Sequence, residues 1–410
     1  MIQRLKKAIY IFNRLTQVFI GPLVGGHYKT CLLVPPVDLS DELELEVRMA
    51  WYVPRSLGIK VMSAVSNGKS DLKQTDLPEW CRTDIDRNGY IERCSGSGAR
   101  KLAKKRSTLI LIHKVCMKAL LQNIFRLHRV RIIDRNFYLF SESHTSAALV
   151  YYDFWSRLKR KHLMRHSLAQ IQWAAKEKTE NIVTLVATGP SAAEHIDARV
   201  ADKTDWYICN SVVKDRALVE KLRPRFVFAG DSAFHFGTSR YCQAFESDLV
   251  HCLSFGTIYC LNPVGAALFH AQWDLRFPSL VNNVIALPAK RFGRLQMPTQ
   301  QEFVTSDTQN VMTRYMLPVA QIFYKHIRCV GFDGKPATGE SDYFWRHSER
   351  FQYDKTSVLK AHPTFFSDID YDVYYETHTR ALTERVNLLR EAGSNISSVT
   401  PTHLKVLNES

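Results

Sequence analysis

From Asn181 to Ala187 the chain reads Asn-Ile-Val-Thr-Leu-Val-Ala and then breaks at Thr188-Gly189-Pro190-Ser191. A short apolar, β-branched run stopped by Gly and Pro reads as a strand covered on both faces, because a half-covered strand alternates polar with apolar residues. The runs Trp206–Cys209, Arg225–Ala229, Ile258–Leu261 and Ile327–Val330 repeat the pattern, and Ile327–Val330 is the last clear one. The segments between them are long enough for crossover helices. This alternation predicts a doubly wound, mostly parallel α/β sheet, with its ligand site beyond the carboxyl ends of the strands.

A similar alternation precedes it. Cys31-Leu32-Leu33-Val34 ends at Pro35-Pro36, and Asp38 or Ser40 is placed to cap a helix reaching Leu57, where Gly58 stops it. Strands are expected at Ile59–Val65, Thr108–Ile112, Val130–Ile133 and Phe137–Phe140, with a helix through Leu127. The polar stretch 66–107 reads as a long loop or insertion. A chain of 410 residues exceeds what one core sustains, so two Rossmann-like domains are expected. The expected boundaries are 1–27 for an amphipathic N-terminal segment, 28–145 for a first α/β domain, 146–180 for a connecting helix with a solvated basic face, and 181–410 for a nucleotide-binding domain.

Fifty-five Lys and Arg against forty Asp and Glu give a net charge of +15, which predicts an anionic partner without naming it. Nine cysteines, an odd number without a Cys-x-x-Cys pair, predict reduced, buried thiols and neither a disulfide framework nor a zinc site. At the amino end Arg4, Lys6, Lys7 and Arg14 stand beside Ile9, Phe12, Val18 and Phe19. That composition suits a helix lying in a membrane interface, and equally a helix packed on the protein body. The apolar run is too short to span a bilayer.

The Gly189-Pro190-Ser191 turn is the most informative segment. Between a strand and a helix it lets backbone approach a phosphate, with Ser191 placed to cap the helix. Neither the dinucleotide fingerprint nor a P-loop is present. Polar residues follow the next strands too: Asn210 after Tyr207-Ile208-Cys209, Asp231 after Phe228-Ala229-Gly230, and Gly331-Phe332-Asp333-Gly334 after Cys329-Val330. Each is a common turn residue, but together they line one crevice. His235, between two phenylalanines, reads as a packed loop residue.

These residues resemble the bacterial sialyltransferases of glycosyltransferase family 42. The resemblance rests on Gly189-Pro190-Ser191, Ile196-Asp197, Cys209-Asn210, Thr305-Ser306, Gly331-Phe332-Asp333 and the Ser-x-Tyr element Ser341-Asp342-Tyr343, in that order over residues 181–407. It is shared in part by a wider group that includes pterin diphosphokinase-like domains, which His362-Pro363 and Thr400-Pro401-Thr402-His403-Leu404 also resemble. The resemblance implies inverting, metal-free transfer of an acidic sugar, of sialic acid or Kdo type, from a CMP-activated donor to a cell-surface glycan acceptor. No cofactor beyond the donor is implied. It places nucleotide contacts on Gly189, Ser191, Asn210 and Ser306 and phosphate contact on Tyr343; the turn and the strand-end pattern add Pro190, Asp231, Asp333 and Gly334 to the candidate nucleotide-binding residues. A second phosphate-binding tyrosine of the family is absent, and Gly334-Lys335 stands in its place, so that Lys335 offers a compensating positive charge. The implied general base is a C-terminal histidine. His362 and His378 are the candidates, and spacing does not choose between them.

The charge, the N-terminal segment and this chemistry together predict a cytoplasmic enzyme held peripherally on an anionic membrane, with a glycan acceptor and no nucleic acid. The alternatives are a pyrophosphokinase-like enzyme using ATP and a pterin, and a basic protein that binds nucleic acid or membrane. Asp84-Ile85-Asp86 and Asp368-Ile369-Asp370 match the Asp-x-Asp form of metal-dependent sugar transferases. Neither follows a convincing strand, and the second reads as solvated or helix-capping carboxylates.

Overall fold

The computed structural model describes residues 26–34, 42–64, 91–113, 128–133, 150–230, 235–290, 295, 297–308, 310–336, 348–354, 356 and 370–408. The chain forms two compact units, and the division is not a single cut. The first takes Met1–His162, Phe236–Gln243 and Ala267–Pro278, and the second takes Leu163–His235, Ala244–Ala266 and Ser279–Ser410.

In the first unit, β1 (Thr30–Val34), α1 (Glu42–Trp51), β2 (Lys60–Ser63), β3 (Ile91–Arg93), α2 (Gly96–Lys104), β4 (Thr108–His113) and β5 (Val130–Ile133) follow in sequence. The strands form one parallel sheet in the order β3-β2-β1-β4-β5. Leu32, Ile110, Ile112, Val130 and Ile132 build a core against Ala103 of α2. Two expectations are corrected. The helix stops at Trp51 and not Leu57, because Pro54 has no N–H to give and forces the preceding residue out of helical geometry; a single 3-10 turn, Arg55–Leu57, follows. The stretch 66–107 is not all loop, since it carries β3 and α2. Two glycines and the polar stretch around it hide α2 from a sequence reading, although Ala99, Leu102 and Ala103 form one face against the core and the Ser95 hydroxyl caps the helix by accepting the Gly98 N–H at 3.2 Å. Residues expected as a helix through Leu127 and a strand at Phe137–Phe140 lie outside the described residues, as does all of 1–25.

Two internal links complete this unit. Arg131 on β5 makes a two-pronged pair with Asp153, which lies in the π-turn Val150–Phe154: Nε to Oδ2 is 2.9 Å, and the terminal nitrogen reaches Oδ1 at 2.6 Å. Both side chains are buried. The segments borrowed from later in the chain pack on α1. Arg48 donates to the Thr238 hydroxyl at 2.9 Å, Gln272 donates to the Trp51 carbonyl, and the Phe236 and Phe269 rings lie 4.0 Å apart. Helix α3 (Arg157–Lys176) leaves the first unit and continues into the second.

From β6 onward the elements are β6 (Ile182–Val186), α4 (Pro190–His195), β7 (Asp205–Cys209), α5 (Arg216–Leu222), β8 (Phe226–Phe228), α6 (Arg240–Leu253), β9 (Ile258–Leu261), α7 (Pro263–Arg276), β10 (Val284–Ala286), β11 (Ala289–Lys290), β12 (Thr305–Ser306), α8 (Leu317–Phe323), β13 (His326–Val330), α9 (Tyr371–Glu391), β14 (Asn395–Ser398) and α10 (Lys405–Asn408). All of them belong to the second unit except the first four residues of α6 and residues 267–276 of α7, which belong to the first. Seven of these strands form a parallel sheet in the order β10-β9-β8-β7-β6-β13-β14, and β11 pairs with β12 apart from it. The five strands expected from apolar runs lie where those runs fall. Ile327–Val330 is not the last strand, however: β14 extends the sheet past it, in register from His326–Asn395 to Cys329–Ser398. Burial of every residue in β7, β8 and β9 follows from cover on both faces. Tyr207, Phe226 and Phe228 pack with Tyr315, Leu382, Val386 and Leu389 into one core.

The strand order fixes where a ligand can enter. From β6 the chain winds outward through β7, β8, β9 and β10, then returns to place β13 on the other side of β6. At such a reversal the connections leave in opposite directions and open a crevice at the carboxyl ends.

Candidate functional site

Both turns named by the sequence emerge at that reversal. The Gly189-Pro190-Ser191 turn leaves β6, and Gly331-Phe332-Asp333 leaves β13. Strand-like pairing continues past the ladder, with Ala187 N–H to Val330 O at 2.9 Å and Gly189 N–H to Gly331 O at 3.1 Å. A Cβ on residue 189 would overlap Gly331 O and lie 2.7 Å from Asp333 Oδ2, so only glycine permits this approach. Gly331 has φ +75°, and a Cβ there would lie 2.5 Å from the Ala192 Cβ and 2.8 Å from the Ala187 carbonyl.

The expected role of Ser191 is corrected in its detail. Gly189, not Ser191, occupies the cap position of α4, and the cap is supplied from 142 residues away. Asp333 Oδ2 accepts the Ser191 N–H at 2.9 Å, while the Ser191 hydroxyl donates to Oδ1. Thr400 closes the chain of bonds. Its hydroxyl accepts the Gly331 N–H at 3.1 Å and lies 3.0 Å from Ser191 Oγ; with the serine proton committed to Asp333, the Thr400 proton points to Ser191. A carboxylate at the start of a helix meets the exposed N–H groups of its first turn. Thr402 and His403 bind the same turn, through the Thr402 hydroxyl to Phe332 O at 2.5 Å and the His403 N–H to Asp333 O at 2.6 Å.

The neighbouring strand ends bring further groups to this edge. Asn210, directly after β7, has φ +47°, a left-handed conformation that a residue other than glycine seldom adopts. At the end of β8, Arg314 donates to Gly230 O at 3.3 Å and lies 3.4 Å from Asp307, while Gly230 packs on Val311. The segment after Ser306 therefore lies against that strand end, and Ser306 itself belongs to β12, in register with Lys290. The Lys335 N–H donates to the Tyr375 hydroxyl at 3.0 Å, and its ammonium pairs with Asp372. Asp370 caps α9 by accepting from Asp372 and Val373, as the capping reading of that acidic run expects. Asp231, Tyr343, His362, Asp84–Asp86 and Asp368 lie outside the described residues.

A strap crosses the outer side of these loops. Arg350 grips Asp197 with both terminal nitrogens, at 2.8 and 2.9 Å, and Asp215 with Nε. Tyr353 donates to Asp248 at 2.6 Å, and Lys214 donates to Glu349 O at 2.7 Å. The Arg350 hydrogen bonds hold the Asp197 carboxyl below its usual range. Arg350 and Arg314 escape a sequence reading, because each acts through a partner more than 80 residues away, and Thr400, named there only for its resemblance, gives no sign of its bond to Gly331.

Two candidate groups are chemically quiet here. Burial pushes the Cys209 thiol up to about 12, so no thiolate stands beside Asn210 at neutral pH. His378 faces inward on α9 with Leu382, Arg385, Val386 and Leu389, and its buried Nδ1 has no hydrogen-bond partner among the described residues. Burial lowers its pKa from 6.5 to about 4. The unfolded chain therefore takes up this proton more readily than the folded one. The resulting stability is complete above pH 6.5 and lost as pH falls toward 4, a change of about 3 kcal/mol. Chemical denaturation between pH 7 and pH 4 is expected to show that extra loss in the wild type relative to His378→Leu; identical pH dependence in the two would place the histidine in contact with solvent. His235, as expected, is a packed loop residue, stacked 4.1 Å from the Phe245 ring.

Searches against protein-family models, curated proteins and solved structures find no match to this chain. The site is therefore read from its own geometry. Among the described residues no three His, Cys, Asp or Glu side chains gather as a metal centre requires, and no helix is long and apolar enough to cross a membrane.

Proposed function

We propose that the second unit is the nucleotide-binding half of an inverting, metal-independent glycosyltransferase with two Rossmann-like domains. It takes an acidic sugar from a CMP-activated donor and passes it to a cell-surface glycan at the membrane. One observation carries this reading: the turns after β6 and β13 converge at the strand-order reversal, where a sheet of this order binds nucleotides, with backbone packed too closely for any side chain at Gly189.

Asp333 already fills the anion position at α4, so the donor phosphate is assigned elsewhere, to Asn210, Lys335 and Tyr343. Lys335 exchanges its Asp372 partner for phosphate on binding. Asp333 keeps lone pairs beyond those used by Ser191, and these suit a ribose hydroxyl. In the transfer, the acceptor oxygen bonds to the anomeric carbon as the bond from that carbon to the phosphate oxygen breaks. CMP leaves with the electron pair, and the acceptor proton passes to a base. His362 takes that role in this proposal, since His378 is held in the core with a pKa unsuited to it.

A thermal-shift panel tests the reading. CMP or CDP at about one hundred times its Kd is expected to add roughly 2.7 kcal/mol and raise Tm by about 5 °C, with ATP inert. A shift with ATP alone would favour pyrophosphoryl transfer. No response to any nucleotide would remove the crevice as a nucleotide site.

A further inference from the structure

We propose that the exposed face of α3 is a docking surface for an anionic lipid bilayer. The inference rests on this helix alone and not on the transferase reading. In its 20 residues α3 carries Arg157, Lys159, Arg160, Lys161, Arg165 and Lys176, and no Asp or Glu. Its inner stripe is Arg160, Leu163, Ser167, Ile171 and Ala174, all buried, spaced as one face of a helix. Arg160 is engaged there, over the Tyr151 and Tyr152 rings at 5.5 and 5.8 Å. The opposite stripe, Leu158, Lys161, Arg165, Ala169, Gln172 and Lys176, is exposed along its whole length. At about 1.5 Å per residue it runs roughly 27 Å. Arg157, Lys159, Lys161, Arg165 and Lys176 have no carboxylate within ion-pair distance among the described residues, so this charge is uncompensated locally.

Two large apolar side chains select the occupant. Leu158 is 73% exposed and Trp173 50% exposed, near opposite ends of the basic stripe. A polynucleotide would use the charges but would leave a solvated leucine with nothing to enter. A bilayer surface satisfies both: phosphates and serine carboxylates meet the basic groups, while Leu158 and the indole of Trp173 sink to headgroup depth. The helix lies along the surface, since a face with this much charge cannot cross it.

Vesicle sedimentation of the full chain tests the proposal, with vesicles of phosphatidylcholine alone or with roughly one-third phosphatidylserine. Each basic residue at an anionic surface is worth about a fivefold gain in partitioning. The triple variant Lys161→Gln/Arg165→Gln/Lys176→Gln is therefore expected to bind the anionic vesicles about a hundredfold more weakly. Its melting temperature should match the wild type, because no partner is lost. Leu158→Glu is expected to weaken binding on its own, and Trp173→Phe to remove most of the blue shift in emission that vesicles induce. Full binding by the folded triple variant would overturn the assignment and move attachment elsewhere, the N-terminal residues being the next segment to examine. Equal binding to pure phosphatidylcholine, or retention on duplex DNA with none on vesicles, would overturn it as well.

Discussion

Gly331→Ala is expected to destabilise the second unit by about 3–5 kcal/mol and to abolish any nucleotide response. The left-handed backbone at this position costs an L-residue roughly 1–2 kcal/mol. The new methyl would also press on the Ala192 Cβ at 2.5 Å and the Ala187 carbonyl at 2.8 Å, where the packed turn has little room to yield. Relieving either contact moves Gly331 N–H off Thr400, and Ser191 and Asp333 follow through the same hydrogen bonds. Adding Ala192→Gly should restore part of the stability by removing one clash, but not the backbone cost. Calorimetry of the single and double variants separates the two contributions. A single variant within about 1 kcal/mol of the wild type would mean that the turn is not built as described.

Asp153→Ala carries the second large effect, in the other unit. Removing this carboxylate leaves the Arg131 guanidinium buried, with the His128 and Val130 carbonyls, at 3.1 and 2.9 Å, as its remaining hydrogen-bond partners among the described residues. Breaking such a pair from one side costs about 3–5 kcal/mol, far more than deleting both charges together. Arg131→Met/Asp153→Leu is therefore expected to be more stable than Asp153→Ala. Hydrogen exchange at the amides of β4 and β5 reports the first unit specifically. Equal protection in Asp153→Ala and the wild type would show that water reaches the guanidinium when its partner is gone.

The strands most legible in the sequence are those whose residues are all buried. In β7, β8 and β9 a continuous aromatic or β-branched run follows directly from cover on both faces. At the edge of the sheet that signal disappears. Asn395-Ile396-Ser397-Ser398 buries a single apolar side chain, and β14 is specified by main-chain pairing to β13, which no local pattern records. The three residues of β10 are too few to stand out against their Asn-rich approach. The same division holds at the site. Gly189 and Gly331 announce themselves, because a turn between strand and helix needs residues of that kind. The capping of α4 by Asp333 does not, since it depends on two distant strand ends being brought side by side. His378 shows the converse difficulty: its place on the inner stripe of α9 was open to reading from the spacing of Leu382, Val386 and Leu389, but a histidine three or four residues from apolar neighbours suits a core and a catalytic crevice alike.

The interleaved division of the chain has a consequence for its synthesis. Trp51 and Arg48 emerge early from the ribosome, yet the residues that complete their surroundings come late: Phe236–Gln243 after three, and Ala267–Pro278 after four, of the seven strands of the second unit's sheet. At about 5–20 residues per second, the first unit waits roughly 6–23 seconds beyond its own last N-terminal residue for those pieces. Nascent chains of this protein cannot mature strictly from front to back. During that interval α1 keeps an uncovered apolar flank, and a cut placed between residues 162 and 163 would leave it so permanently. Any attempt to express the halves separately has to carry residues 236–243 and 267–278 with the first of them, or supply them in trans.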